Sequence, residues 1–174
     1  MDKKLRNSQI VGFIFTAAVG TLLHFLYDWS GANPIIALIS GVNESTWEHM
    51  KLLFWPMLLF TVFQSFFFRD YASFPCVKVR SMLIGLLLIP VLFYTYNGVI
   101  GKSPDFINIS IFFISAAVAY FYEVCALNNA HTACKFPRLA PIILCAVGVM
   151  FIIFTFNTPN WEIFRDPITN RFGI

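Results

Sequence analysis

His24 and Asp28 stand four residues apart in His24-Phe25-Leu26-Tyr27-Asp28-Trp29. Glu44 and Glu48 stand four apart in Asn43-Glu44-Ser45-Thr46-Trp47-Glu48-His49-Met50-Lys51. On an α-helix each pair shares one face. Imidazole and carboxylate groups converging from neighbouring helices form a donor set suited to zinc, manganese or iron, and the interior of a helical bundle is a usual place for such ligands. The expected ligands are His24, Asp28, Glu44 and Glu48, and the expected cofactor is a divalent metal such as zinc. With one coordination position open, zinc would activate water for hydrolysis. Glu48 and His49 are the candidate catalytic groups, with His49 read as a general acid/base or as an alternative ligand. The combined spacing is not an established zinc signature of the H-E-x-x-H kind.

The same residues also fit a purely structural reading. Ser45-Thr46-Trp47-Glu48 is a capping box at a helix start, and Asn43 is an alternative N-cap that would place Glu44 in the first turn. If Ser45 caps, Glu44 falls outside the helix and the two carboxylates no longer share a face. Lys51 is a natural partner for Glu48 or Asp28, and Trp29, Trp47 and Trp55 read as part of an interfacial aromatic belt. His24 argues for more than capping, because it lies about a turn inside the first helix, where an ionisable group is costly and faces a partner. Tyr94, Tyr96 and Asn97, near the end of a later helix, would complete a binding cavity together with Lys51. Glu123 is expected to pair with Lys78, Arg80 or Lys135. A continuous polar path from Glu123 to the His/Glu cluster would favour transport.

These residues must be held by helices in lipid. The chain has 174 residues, of which 12% are charged and 58% hydrophobic, with 21 Phe. An ordinary soluble domain carries about 25% charged residues. Mean hydropathy is +0.72, more apolar surface than a soluble core of this size hides. Spans are expected at about 10–28, 51–68, 82–101, 106–127 and 139–157, each near the ~20 residues that cross a bilayer. The fold class is therefore all-α, a polytopic membrane bundle of five helices in a single domain. The first apolar run is longer than a signal-peptide core and is read as a retained helix. Residues 34–42 are too short to span. None of the four cysteines forms a C-x-x-C pair, and no disulfide framework is expected.

A net charge of +3 gives no reason to invoke nucleic acid. The basic residues serve topology instead. With the N-terminus inside, Lys3, Lys4, Arg6, Arg69, Lys78, Arg80, Lys135 and Arg138 face the cytoplasm, against Lys51, Lys102, Arg165 and Arg171 outside. The positive-inside rule then predicts a cytoplasmic N-terminus and an extracytoplasmic tail over 158–174. That tail carries Trp161, Ile163, Phe164 and Phe172 and is expected to fold back over the outer mouth of the bundle.

The chain resembles a family of small bacterial multispanning membrane proteins with no assigned function. The resemblance rests on His24-Phe25-x-Tyr27-Asp28-Trp29, on Val42-Asn43-Glu44-Ser45-x-Trp47-Glu48-His49-x-Lys51, on Tyr94-x-Tyr96-x-Gly98, and on Phe164-x-Asp166-Pro167 with Phe172-Gly173. It implies a bacterial cell-membrane protein of five helices and supplies neither reaction nor substrate. Read from the residues, the leading expectation is a metal-dependent membrane hydrolase at the outer surface, acting on a lipid or peptide-like substrate. The alternatives are a small transporter or ligand-binding subunit, and an assembly protein in which the cluster only fixes helix packing.

Overall fold

A computed structural model describes residues 3–68, 70–101, 104–129 and 132–174. These residues form six α-helices: α1 (Lys3–Trp29), α2 (Pro34–Ala37), α3 (Thr46–Ser65), α4 (Phe74–Ile100), α5 (Asp105–Asn128) and α6 (Leu139–Phe156). A 3-10 turn follows at Glu162–Phe164. The described residues contain no strand beyond an isolated bridge between Arg165 and Phe172. Helices α1, α4, α5 and α6 are long and apolar enough to cross a membrane, which marks a membrane protein.

Helix α3 is not among those four, and its position explains why its composition differs. It packs against α1, α4, α5, α6 and the 3-10 turn. Thirteen of its twenty residues are buried, including Glu48, Lys51 and Gln64. A helix screened by its neighbours rather than by lipid can carry polar groups, provided each finds a partner.

Close contacts run the length of α1 and α3 and show that the two helices are antiparallel. At one end the Gln64 amide donates to Ser8 Oγ (2.9 Å) and Gln9 Oε1 (3.3 Å). Gly12 lies under the Phe60 and Tyr120 rings, where an added Cβ would sit 2.5 Å and 2.6 Å from ring carbons. Gly20 lies against the Leu52 carbonyl and the Phe112 ring, with an added Cβ at 2.9 Å and 2.6 Å. These two glycines let α1 approach closely enough to register on α3.

Two buried ion pairs replace charge exposure inside the bundle. Near the start of α3, Lys51 Nζ lies 2.5 Å from Glu48 Oε2 and donates to the Ala37 carbonyl (2.8 Å) and Thr155 Oγ1 (3.0 Å). Glu48 Oε2 also accepts from the Val42 N–H at 3.1 Å. This single pair therefore ties α2 and the following loop to α3 and α6. Toward the other end, Lys78 Nζ meets Glu123 Oε2 at 2.5 Å and also donates to Gln64 Oε1. Glu123 thus takes one of the three partners expected for it.

Two expectations are corrected. Cys76, in the first turn of α4, is disulfide-bonded to Cys134 in the loop before α6, with Cα atoms 5.4 Å apart. The absence of a C-x-x-C motif hid the pair, because the partners are 58 residues apart in sequence and meet only when α4 and α5 pack. Trp47 is not an interfacial belt residue. It is buried against Phe151, Phe154 and Phe164, because the tail returns across this end of the bundle and covers it. Trp29, by contrast, is exposed.

Candidate metal centre

The local sequence sends the two carboxylates of the second motif in different directions. Ser45 is the N-cap of α3, and its hydroxyl accepts from the Glu48 N–H at 3.4 Å. Asn43 supports the turn by accepting the Ser45 N–H at 2.9 Å. Glu44 therefore lies outside the helix and Glu48 inside it, where it is held by Lys51. The loop is fixed at its other end by Ser40, whose hydroxyl donates to the Leu23 carbonyl and accepts from the Tyr27 N–H (3.0 Å).

That turn places Glu44 between two imidazoles. Its Oε1 is 3.4 Å from His24 Nε2, and its Oε2 is 3.6 Å from His49 Nε2. One ligand atom from each of His24, Glu44 and His49 can be chosen so that all lie within 4.8 Å of one another. Two ligand atoms on a tetrahedral zinc with bonds of about 2.0–2.1 Å lie about 3.3 Å apart. The three side chains are partly buried, and the two rings lie 5.7 Å apart between centroids.

The hydrogen bonding of His49 sharpens the chemistry. Its Nδ1 lies 2.9 Å from the Ser45 carbonyl oxygen. A carbonyl only accepts, so Nδ1 carries the hydrogen. In the neutral ring, Nε2 then presents a lone pair to a carboxylate. Two acceptors facing one another call for a cation or a proton between them. A backbone carbonyl on the far nitrogen is also the arrangement that orients a metal-ligating histidine.

A pocket of about 310 Å³ adjoins the three residues. Its apolar walls are Phe25 of α1, Leu52 of α3, Ile109, Phe112 and Phe113 of α5, and Ile168 of the tail. A second cavity, of about 20 Å³, also touches Glu44 and His49 and is lined by Thr46 and Asn108 as well. It is large enough for one water molecule and offers that water polar partners.

The other sequence-selected residues lie elsewhere. Asp28 is exposed beyond His24 and is not part of the cluster, while Glu48 is buried with Lys51. Lys51 is fully buried and satisfied by its three partners. Tyr94, Tyr96 and Asn97 line neither cavity. Asn97 instead donates to the Phe93 carbonyl of its own helix at 2.8 Å. Ile168 and Asn108 were missed by sequence reasoning. Ile168 belongs to a tail whose fold is local: Asp166 accepts from the Ile168 N–H (2.8 Å) and the Thr169 hydroxyl (2.7 Å), and Asn43 donates to the Gly173 carbonyl at 3.0 Å. Asn108 sits one turn into α5, and nothing in its local sequence separates it from an ordinary interfacial polar residue.

Residues 2–174 match a family described as "Family of unknown function (DUF6512)". The chain belongs to this family. The match takes in both motifs that carry His24, Glu44 and His49, the helices that bear them and the returning tail, so the family's domain is the whole bundle. No curated protein and no solved structure matches the chain.

Proposed function

We propose that this protein is a five-span bacterial cell-membrane protein whose His24, Glu44 and His49 hold a divalent metal such as zinc, and that the metal serves hydrolysis at the outer membrane surface. The fifth span is α3, which runs beside α1 from Gln64 at one end to His49 at the other. A cytoplasmic N-terminus follows from the basic residues, with two revisions. Lys51 and Lys78 are each buried in an ion pair and no longer count among the outer and inner charges, and the remaining bias still favours the N-terminal side as inner.

The observation that carries the metal reading is the facing of Glu44 with two histidine Nε2 atoms, one of which has its other nitrogen committed to a backbone carbonyl. A His2Glu set leaves a fourth position for water, which a bound metal would activate. Glu44 and His49 line both the water-sized cavity and the larger apolar pocket, which supports this reading. A transporter would need a polar path to Glu123. Instead, the Gly12 and Gly20 contacts close the α1–α3 seam between the two ends.

The test is metal content by mass spectrometry on protein purified in mild detergent without chelator or polyhistidine tag. Near-stoichiometric metal that disappears in His24→Ala, Glu44→Ala and His49→Ala supports the reading. Folded protein that takes up no metal when zinc, manganese or iron is supplied overturns it.

A further inference from the structure

We propose that the pocket beside His24, Glu44 and His49 receives the acyl chain of a membrane lipid and presents the lipid's ester carbonyl to that centre. This rests on the hydrolytic reading above and names its substrate class.

The shape of the pocket decides between the two substrate classes that the sequence leaves open. A bound peptide brings an N–H and a C=O at every residue, and each must be paired when buried. Apart from the three candidate ligands, the lining offers only Thr21 and Asn108 as polar side chains, against six large apolar ones. An acyl chain asks for no such partners. The volume, about 310 Å³, is roughly twice that of an engineered apolar cavity of about 150 Å³ that binds benzene.

The pocket also has a floor and a side door. Below His24, Gly20 presses on the Leu52 carbonyl and the Phe112 ring so closely that an added Cβ has no room. A chain cannot continue down the seam between α1 and α3. The rim on the α1 and α5 side is made by Thr21, Phe25 and Ile109, all exposed. From Gly20 to His24 is one helical turn, about 6 Å, so only the part of the chain nearest the head group is enclosed. The remainder passes between Thr21 and Ile109 into the bilayer. The reaction is ester hydrolysis. The water oxygen bonds to the carbonyl carbon, the acyl C–O bond breaks, and a proton from water goes to the departing alcohol.

The experiment uses the full-length protein in vesicles of phosphatidylethanolamine and phosphatidylglycerol. The vesicles contain a phosphatidylglycerol whose acyl chain bears a diazirine on its early methylenes. After irradiation, labelled residues are mapped by mass spectrometry, and metal content is measured on the same sample. Leu52 and Phe112 are buried and line the pocket, so bulk lipid does not label them. The proposal expects label on both, with loss to background in Thr21→Trp and in Ile109→Trp, which plug the exposed mouth while leaving metal content unchanged. Metal-loaded protein labelled only at exposed residues overturns it. So does label at Leu52 and Phe112 from a photo-leucine peptide but not from the lipid. Lipid label at those two residues in protein that binds no metal supports the chain site and overturns the hydrolytic reading.

Discussion

Glu44 and Glu48 are four residues apart in sequence and serve two separate structures: Glu44 faces His24 and His49, while Glu48 is buried against Lys51. The Ser45 cap between them is the cause, since it leaves Glu44 outside the helix and Glu48 inside it. Exchanging each for glutamine should therefore have opposite consequences. Glu44→Gln is expected to lose bound metal and to melt like the metal-free unsubstituted protein, because Glu44 is partly exposed and no cap or clamp depends on it. Glu48→Gln is expected to retain the ligands but to unfold at lower temperature, because it leaves Lys51 buried without a counter-charge. Metal analysis and a detergent melt of the two variants check this. Metal lost from the stability-impaired variant alone would contradict it.

The second buried pair behaves as a packing unit. Removing one member of a buried ion pair typically costs about 3–5 kcal/mol, whereas replacing both by apolar groups of similar volume is often neutral. Lys78→Ala or Glu123→Ala should each destabilise the protein by that order. Lys78→Met combined with Glu123→Leu should recover most of it, and metal content should be unchanged throughout. A double variant as unstable as the singles, measured by denaturant titration in micelles, would show that the pair does more than fill space.

Gly12 and Gly98 make a matched test of the α1–α3 seam. A side chain at Gly12 would run into the Phe60 and Tyr120 rings, whereas one at Gly98 meets nothing within 4 Å. Overpacking of this kind costs about 1–3 kcal/mol, while exchanging glycine for alanine within a helix gains about 0.5–1 kcal/mol. Gly12→Val is expected to lower the melting temperature, and Gly98→Ala to leave it the same or higher. Equal effects at both positions would contradict the close approach of the helices.

Cysteine labelling probes the covalent link and the orientation together. In protein isolated without reductant, Cys125 and Cys145 are exposed to the surrounding medium and should alkylate once the protein is denatured, whereas Cys76 and Cys134 should react only after reduction. The Cys76–Cys134 pair sits at the end bearing Lys3, Lys4 and Arg6, which the charge rule puts in the cytoplasm, a compartment that keeps thiols reduced. Alkylation in intact cells followed by mass mapping reads the pair directly. Two free thiols in cells match a cytoplasmic N-terminus, with the pair closing only once the protein is isolated in air; a disulfide already present in cells reverses the orientation.

The helical plan was legible because long apolar runs have few other uses. Helices α5 and α6 follow them closely, whereas α1 and α4 begin at Lys3 and Phe74, about two turns before the apolar runs expected at 10 and 82, because a helix continues through polar residues beyond the lipid. The neighbourhood of the centre was legible from His24 and His49 flanking a short loop. The set of side chains that meet there was not. Spacing of four suggested Asp28 and Glu48, but a helix position says only which way a side chain starts. The Ser45 cap and the Lys51 partner decided where the carboxylates ended, and Asp28 lay a full turn too far toward the end of α1. The disulfide and Ile168 depend on parts of the chain that meet only after folding, so no local pattern announced them.

The two glycine contacts of α1 turn sequence length into position. Gly12 and Gly20 seat the helix on α3, and His24 follows four residues later. One residue inserted between Gly20 and His24 would leave the seated part untouched. It would swing the imidazole by about 100° around the axis and carry it about 1.5 Å along, away from Glu44 and toward lipid. The stretch from Gly12 to His24 is therefore a ruler whose length matters as much as its residues. Related chains that keep the centre can vary in length in the loops but not within this segment.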